Sequence, residues 1–168
     1  YLGPEMKSTG EVMGIDKEFS PALAKALMAA GLTLPVKGSI LISIADRTKS
    51  EAIPMIRNLS GTGYTLYATS GTAHLIRGLG MHVVEVPKAH ESNHPNTVDL
   101  IKEGTVNAVV NTIEGDKDAL ADAYEIRRAA VEARIPCFTS IDTARVAVES
   151  LVNSGGEFNI LPMNEYSS

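Results

Sequence analysis

Apolar residues along the chain follow two alternating patterns. Short β-branched runs, typical of strands buried on both faces of a sheet, recur from residue 39 onward. The runs predicted as strands are 39–44, 64–68, 81–86, 106–110 and 135–138. Between them, apolar residues recur every three or four positions, which predicts amphipathic helices. The predicted helices are 47–59, 71–79, 97–102, 116–133 and 142–151, the last with Asp142 as its N-cap.

This alternation of strands and helices predicts the class of fold. Successive strands would lie parallel in one sheet, with the connecting helices on its two faces. The chain is therefore predicted to be a three-layer α/β protein with a five-stranded, mainly parallel sheet. One more helix is predicted before the sheet, with Ser20 as its cap, Pro21 in its first position and Gly31 at its end.

Composition and charge restrict the partners of the protein. The 168 residues are 44% hydrophobic and 21% charged, which is typical of a globular domain. A formal net charge of −5 disfavours a nucleic-acid binder, and no apolar run is long enough to cross a membrane. Cys137 is the single cysteine, so an internal disulfide is excluded, and we expect a buried, inert thiol in a cytoplasmic protein.

Polar residues follow the carboxyl ends of all five predicted strands. In an open α/β sheet these ends meet at one edge, where ligands bind. The candidate residues are Ser43, Lys49, Thr69, Ser70, Gly71, Thr72, Lys88, Asn111, Thr112 and Thr139. Most of them have hydroxyl or lysine side chains, and the set lacks a paired acid and base. These side chains favour binding of an oxyanion over catalysis. We therefore predict a phosphate site and no catalytic residue.

The segment Thr69–Thr72 is the centre of this predicted site. Gly71 permits a sharp turn, and the helix that follows presents unpaired N–H groups to an anion. Lys49 and Lys88 would supply the opposite charge. The same turn is also an ordinary helix N-cap, and both lysines could be solvated. The convergence of five strand ends favours the ligand site.

Three other features have simpler interpretations than a ligand site. His90 and His94 are four residues apart, but no partner carboxylate is evident, so we expect loop histidines and no metal site. The pair 127–128 could bind a partner or an anion, but a solvated or salt-bridged helix face is expected. Asp122 is expected to be exposed, although it lies within reach of the strand ends.

Two stretches of the chain resemble the carbamoyl phosphate synthetase large chain. Residues 2–14, LGPEMKSTGEVMG, are similar to the end of its second synthetase (ATP-grasp) unit. The rest, except the tail after Asn153, resembles its C-terminal allosteric domain, a Rossmann-type fold shared with methylglyoxal synthase. This second match is carried by Leu41-Ile42-Ser43, Lys49, Ala68-Thr69-Ser70-Gly71-Thr72-Ala73, Lys88, Asn111-Thr112 and Ile126-Arg127-Arg128.

The resemblance implies a division of the chain and a parent enzyme. Residues 1–35 would be the end of the synthetase unit with a linker helix, 36–153 the allosteric domain and 154–168 a C-terminal tail. The parent enzyme makes carbamoyl phosphate, for pyrimidine and arginine biosynthesis, from bicarbonate, glutamine-derived ammonia and ATP with Mg or Mn. It works with a glutaminase small subunit. This fragment would hold no cofactor and perform no catalysis by itself.

The resemblance also implies a ligand, a nucleotide effector such as UMP or IMP. The positions that hold its phosphate and ribose match Ser43, Lys49, Thr69, Thr72, Lys88 and Asn111, with Asp122 matching after a one-residue gap. Two departures are visible. Ile113 stands where the family often has threonine, and Phe138-Thr139 replaces the Asp-Thr pair of ornithine-responsive members. Thr139 therefore remains only a candidate for a second effector.

Two alternative functions stay open at this point. A methylglyoxal synthase-like phosphate-ester lyase needs a Gly-Gly-Asp segment after the third strand, where this chain has ESNHPN at 91–96. A non-binding oligomerisation module would use the strand-end residues only for structure, and whether the chain self-associates is left open.

Overall fold

The computed structural model describes residues 21–155. The synthetase-like stretch 2–14, the predicted cap Ser20 and residues 156–168 of the tail lie outside them. The strands are β1 (Ser39–Ser43), β2 (Thr65–Ala68), β3 (Val84–Glu85), β4 (Ala108–Asn111) and β5 (Cys137–Phe138). The helices are α1 (Pro21–Ala29), α2 (Lys49–Ser60), α3 (Ser70–Gly78), α4 (Thr97–Lys102), α5 (Lys117–Ala133) and α6 (Ile141–Gly155).

The five strands form one sheet in the order β3-β2-β1-β4-β5. All of its pairings are parallel, so the predicted α/β fold is confirmed and the sheet is parallel throughout. The apolar strand β1 lies at the centre, where Ile40 pairs with Leu66 on one side and with Ala108 on the other. All the strands therefore present their carboxyl ends at the same edge.

Two hydrophobic cores cover the two faces of the sheet. Ile40 and Ile42 point into the larger core, which they share with α2, α3, α6 and Leu27 of α1. Leu41 points the opposite way, into a smaller core formed mainly with α4 and α5. The alternation within β1 thus fixes which helices lie on each face, because successive side chains of a strand point to opposite sides.

Element boundaries differ from the sequence prediction where side-chain chemistry decides them. The N-cap of α6 is Ser140, whose hydroxyl accepts a hydrogen bond from the Thr143 N–H at 3.3 Å, so the assignment of Asp142 as cap was wrong. A short 3-10 helix over Asp46–Thr48 precedes α2 and delays its start, which places Pro54 in its second turn. Strands β3 and β5 are each two residues long because they lie at the edges.

The length and polarity of the helices determine whether any of them could span a membrane. Between residues 21 and 155, no helix combines the length and the apolar character that crossing a bilayer would demand.

Candidate functional site

A cavity of about 210 Å³ opens at the carboxyl ends of β1, β2 and β4. Residues from all three strand ends, the loop after β3 and helix α5 form its wall. The predicted site residues that line it are Ser43, Lys49, Thr69, Gly71, Thr72, Lys88, Asn111, Thr112 and Asp122. Distant parts of the sequence therefore meet at one place because the parallel sheet brings their strand ends together.

Two predicted residues lie outside the wall of this cavity. Ser70 is exposed and lines a separate groove beside Tyr67 and Val84. Thr139 follows β5, the edge strand on the far side of β4, and does not line the cavity. Ser70 differs from its neighbours because it starts α3 on the side that faces β3, whereas Gly71 and Thr72 face β1.

The threonines that follow β2 form hydrogen bonds that connect parts of the cavity wall. The Thr72 hydroxyl oxygen accepts a hydrogen bond from the N–H of Ile44, at 3.0 Å, which ties the first turn of α3 to the end of β1. The Thr69 hydroxyl donates to Ser43 Oγ at 3.3 Å and makes no capping bond to α3. The leading N–H groups of α3 are therefore left for another acceptor, such as an anion.

Gly71 makes room for a cation at the start of α3. A Cβ atom on this residue would lie 3.0 Å from Lys49 Nζ, which is closer than nine in ten real Cβ contacts. The absence of a side chain thus lets the Lys49 ammonium approach the helix N-terminus, where the helix dipole is positive. An anion that bridges the two would be held by both.

Asp46 forms an ion pair with Lys49 at 2.5 Å, with the two residues one helical turn apart. The hydrogen bond from Lys49 holds the pKa of the Asp46 carboxyl below its usual value, and the charge of Lys88 lowers it further. The site prediction omitted Asp46, although its spacing of three residues from Lys49 could have indicated the pair.

The end of β4 supplies an amide and a hydroxyl group to the cavity wall. Thr112 Oγ1 accepts a hydrogen bond from the Ala45 N–H at 2.9 Å and lies 3.0 Å from the Thr48 hydroxyl. Asn111 is 3% exposed, and its side-chain oxygen has no hydrogen-bond partner among the described residues. The hydroxyl of Thr97 is likewise buried and unpartnered, and it lines the same cavity.

Thr97 and Glu114 line the cavity but were not predicted as site residues. Thr97 begins α4, on a segment that only the folded loop after β3 brings to the cavity, and no local sequence signal indicates this. Glu114 pairs with Arg47 at 3.5 Å near the cavity mouth.

Asp122 was expected to be exposed, and this was wrong. The residue is 8% exposed and faces the cavity from the second turn of α5. Its carboxylate oxygens lie 2.9 and 2.8 Å from Nδ1 of His90 in the loop after β3. A hydrogen bond and the charge of Asp122 raise the pKa of His90 above its ordinary value.

Arg127 also departs from the expected solvated face. It is half-buried, and burial lowers its pKa. Its guanidinium donates to the carbonyl oxygen of Asn111 at 3.4 Å, which links α5 to the end of β4. Arg128 is exposed and pairs with Glu132 at 3.2 Å, as a solvated face would predict.

Comparison with known proteins places this chain in a family. Residues 51–139, more than half of the chain, match the family model described as the MGS-like domain. The chain belongs to the family of proteins that contain this domain. A structure titled "Crystal structure of ForH" shares the fold with a TM-score of 0.50 at 16% identity, over 75% of this chain and 84% of that one.

Curated relatives are considerably closer in sequence. The carbamoyl phosphate synthase large chain of Thermomicrobium roseum is 46% identical over 98% of this chain. The C-terminal sections of that large chain from Methanopyrus kandleri and Methanocaldococcus jannaschii are 49% and 41% identical over 89% and 98% of it. The chain spans 15%, 28% and 26% of these three relatives. The resemblance inferred from residues alone is thereby confirmed.

Proposed function

We propose that the chain is the regulatory C-terminal part of a carbamoyl phosphate synthase large chain, and that its cavity binds the phosphate of a nucleotide effector such as UMP or IMP. The identity to such large chains over nearly the whole sequence supports the first part. The chemistry of the cavity wall supports the second.

One observation carries the phosphate assignment: the Lys49 ammonium lies against the uncapped N-terminus of α3 at Gly71. A phosphate at this corner would accept hydrogen bonds from backbone N–H groups and an ion pair from Lys49. The Thr72 oxygen accepts from Ile44, so its hydrogen remains for a phosphate oxygen.

The size of the cavity suggests how a nucleotide would lie. Its volume of about 210 Å³ is below the roughly 300–1,000 Å³ of pockets that enclose whole drug-sized ligands. The phosphate and part of the sugar would fill it, with the base projecting outward. The unpartnered oxygens of Asn111 and Thr97 are suited to pair with sugar hydroxyls.

The carboxylates of the wall are compatible with anion binding. Asp46, Glu114 and Asp122 are each engaged by a basic side chain, namely Lys49, Arg47 and His90. Each pair offsets the negative charge of its carboxylate, so the wall repels a phosphate less than free carboxylates would. Assaying the chain for turnover of dihydroxyacetone phosphate would detect the lyase alternative.

Regulation would follow from differential binding. An effector that binds one arrangement of this domain against the upstream synthetase domains more tightly would shift the population of active enzyme. The parent enzyme, with its glutaminase subunit, ATP and Mg or Mn, would carry out the synthesis. This domain would contribute only the coupling free energy between effector binding and the activity of the synthetase domains.

Calorimetric titration with UMP, IMP and ornithine tests the proposal. We expect saturable binding of at least one nucleotide, weakened about tenfold or more by Lys49→Met because a charge-assisted contact is lost. Lys37→Met is the matched control, since Lys37 lies before β1, at the opposite edge of the sheet. Equal binding heats for the wild type and Lys49→Met would contradict the phosphate assignment.

A further inference from the structure

We infer that His90 is a positioning residue: by pairing with Asp122 it fixes the turn that carries Lys88 against helix α5, and it makes anion binding in the cavity depend on pH. This inference rests on the proposed function, and it specifies how the same site is regulated.

Two hydrogen bonds between Lys88 and Glu91 stabilise the turn that contains His90. The Glu91 N–H donates to the Lys88 carbonyl at 3.0 Å, and the Lys88 N–H donates to Glu91 Oε1 at 3.2 Å. Lys88 and His90 therefore move as parts of one unit. His90 attaches this unit to Asp122 of α5, and Lys88 lines the cavity. Loss of the attachment would free the lysine from its place over the anion.

The charge of His90 also decides the balance of charge at the cavity. The wall carries the carboxylates of Asp46, Glu114 and Asp122 against the ammonium groups of Lys49 and Lys88. Arg47 balances Glu114 from outside the wall, which leaves the cavity without net charge. Protonated His90 balances Asp122 as well and makes the cavity net positive, which favours an anion.

The groups around His90 are mostly acidic and act in the same direction. Besides Asp122, they include Glu91 of the same turn and Asp118 of α5, which both raise the pKa of His90. Glu125 and Asp99 line a groove that also contains His90 and shares Asp122 with the cavity wall, and Asp99 is paired with His94 at 2.5 Å. Lys88 is the cationic residue of the turn itself.

The direction of the pH effect follows from these contacts. Asp122 stabilises the protonated form of His90, so the ion pair is complete below the ordinary pKa of histidine. It weakens as the pH rises through the elevated pKa of His90. Anion affinity should fall over the same range, because the cavity loses a positive charge and the turn loses its anchor.

The test uses inorganic sulfate, which keeps its charge over the range in which phosphate monoesters titrate. We expect the wild type to bind sulfate about fivefold more tightly at about pH 6 than at about pH 9, measured by NMR titration of the full chain. His90→Gln should show a flat profile at the weaker value. His90→Gln/Asp122→Asn should also be flat, at a value between the two, because the uncompensated carboxylate is gone but the ion pair that anchors the Lys88 turn is not restored.

His94→Gln is the matched control because His94 lies on the same loop as His90, pairs with Asp99 of α4 and does not line the cavity. It should keep the wild-type profile. A pH slope that survives in His90→Gln, or wild-type sulfate binding that does not change with pH, would overturn the inference alone. Absence of both UMP and sulfate binding by the wild type at every pH would overturn the proposed function, and the inference with it.

Discussion

Gly71 is the residue at which helix stability and ligand binding oppose each other. Glycine lowers the stability of a helix relative to alanine, yet here it stands in the first turn of α3. A methyl group at this position would lie 3.0 Å from Lys49 Nζ. The lysine side chain is flexible at its end, so it would move aside at little cost, and the contact with the helix N-terminus would be lost.

Gly71→Ala should therefore change the two properties in opposite directions. We expect nucleotide binding to weaken about tenfold, because Lys49 is displaced from the anion. The free energy of unfolding should be unchanged or should rise by up to about 1 kcal/mol, because alanine favours the helix. Calorimetry and urea denaturation measure the two effects. Gly78→Ala, in the last turn of α3 with open space around it, is the control and should leave binding unchanged. Unaltered binding in Gly71→Ala would refute the role of this corner.

At the scale of elements, the sequence predicts the helices and strands well and their ends less well. The apolar period identifies α5 and the central strand β1 because each buries a continuous apolar face. The edge strands β3 and β5 shrink to two residues, since a partner on one side only gives less pairing than the apolar run suggests. The start of α6 was misplaced because Ser140 and Asp142 are both good caps, and only the backbone geometry decides between them.

The cap of α6 can be tested by a pair of alanine variants. Ser140→Ala should lower the free energy of unfolding by about 1 kcal/mol, because the Thr143 N–H loses its acceptor. Asp142→Ala should cost no more than about 0.5 kcal/mol, the part due to its charge near the helix N-terminus. Urea denaturation followed by circular dichroism compares them, and a larger loss for Asp142→Ala would show that the cap is misassigned.

At the scale of the whole molecule, the chain carries a net charge of −5 and still presents cations at one cavity. The parallel sheet makes this arrangement predictable, because residues that follow β1, β2 and β4 must meet at the same edge. The sequence could not predict the burial of Asp122 or the approach of Thr97. Both depend on how the loop after β3 folds against α5, and neither residue follows a strand directly.

The central claim is that an anion is held at the start of α3, beside Lys49. Backbone amide shifts recorded while UMP is added to the isotope-labelled chain test it most directly, because they report where the ligand binds. We expect saturable shifts that are largest at Gly71 and Thr72, with smaller ones at Ile44 and Asn111. Shifts that do not saturate, or that centre on the opposite edge of the sheet around Lys37, would contradict it.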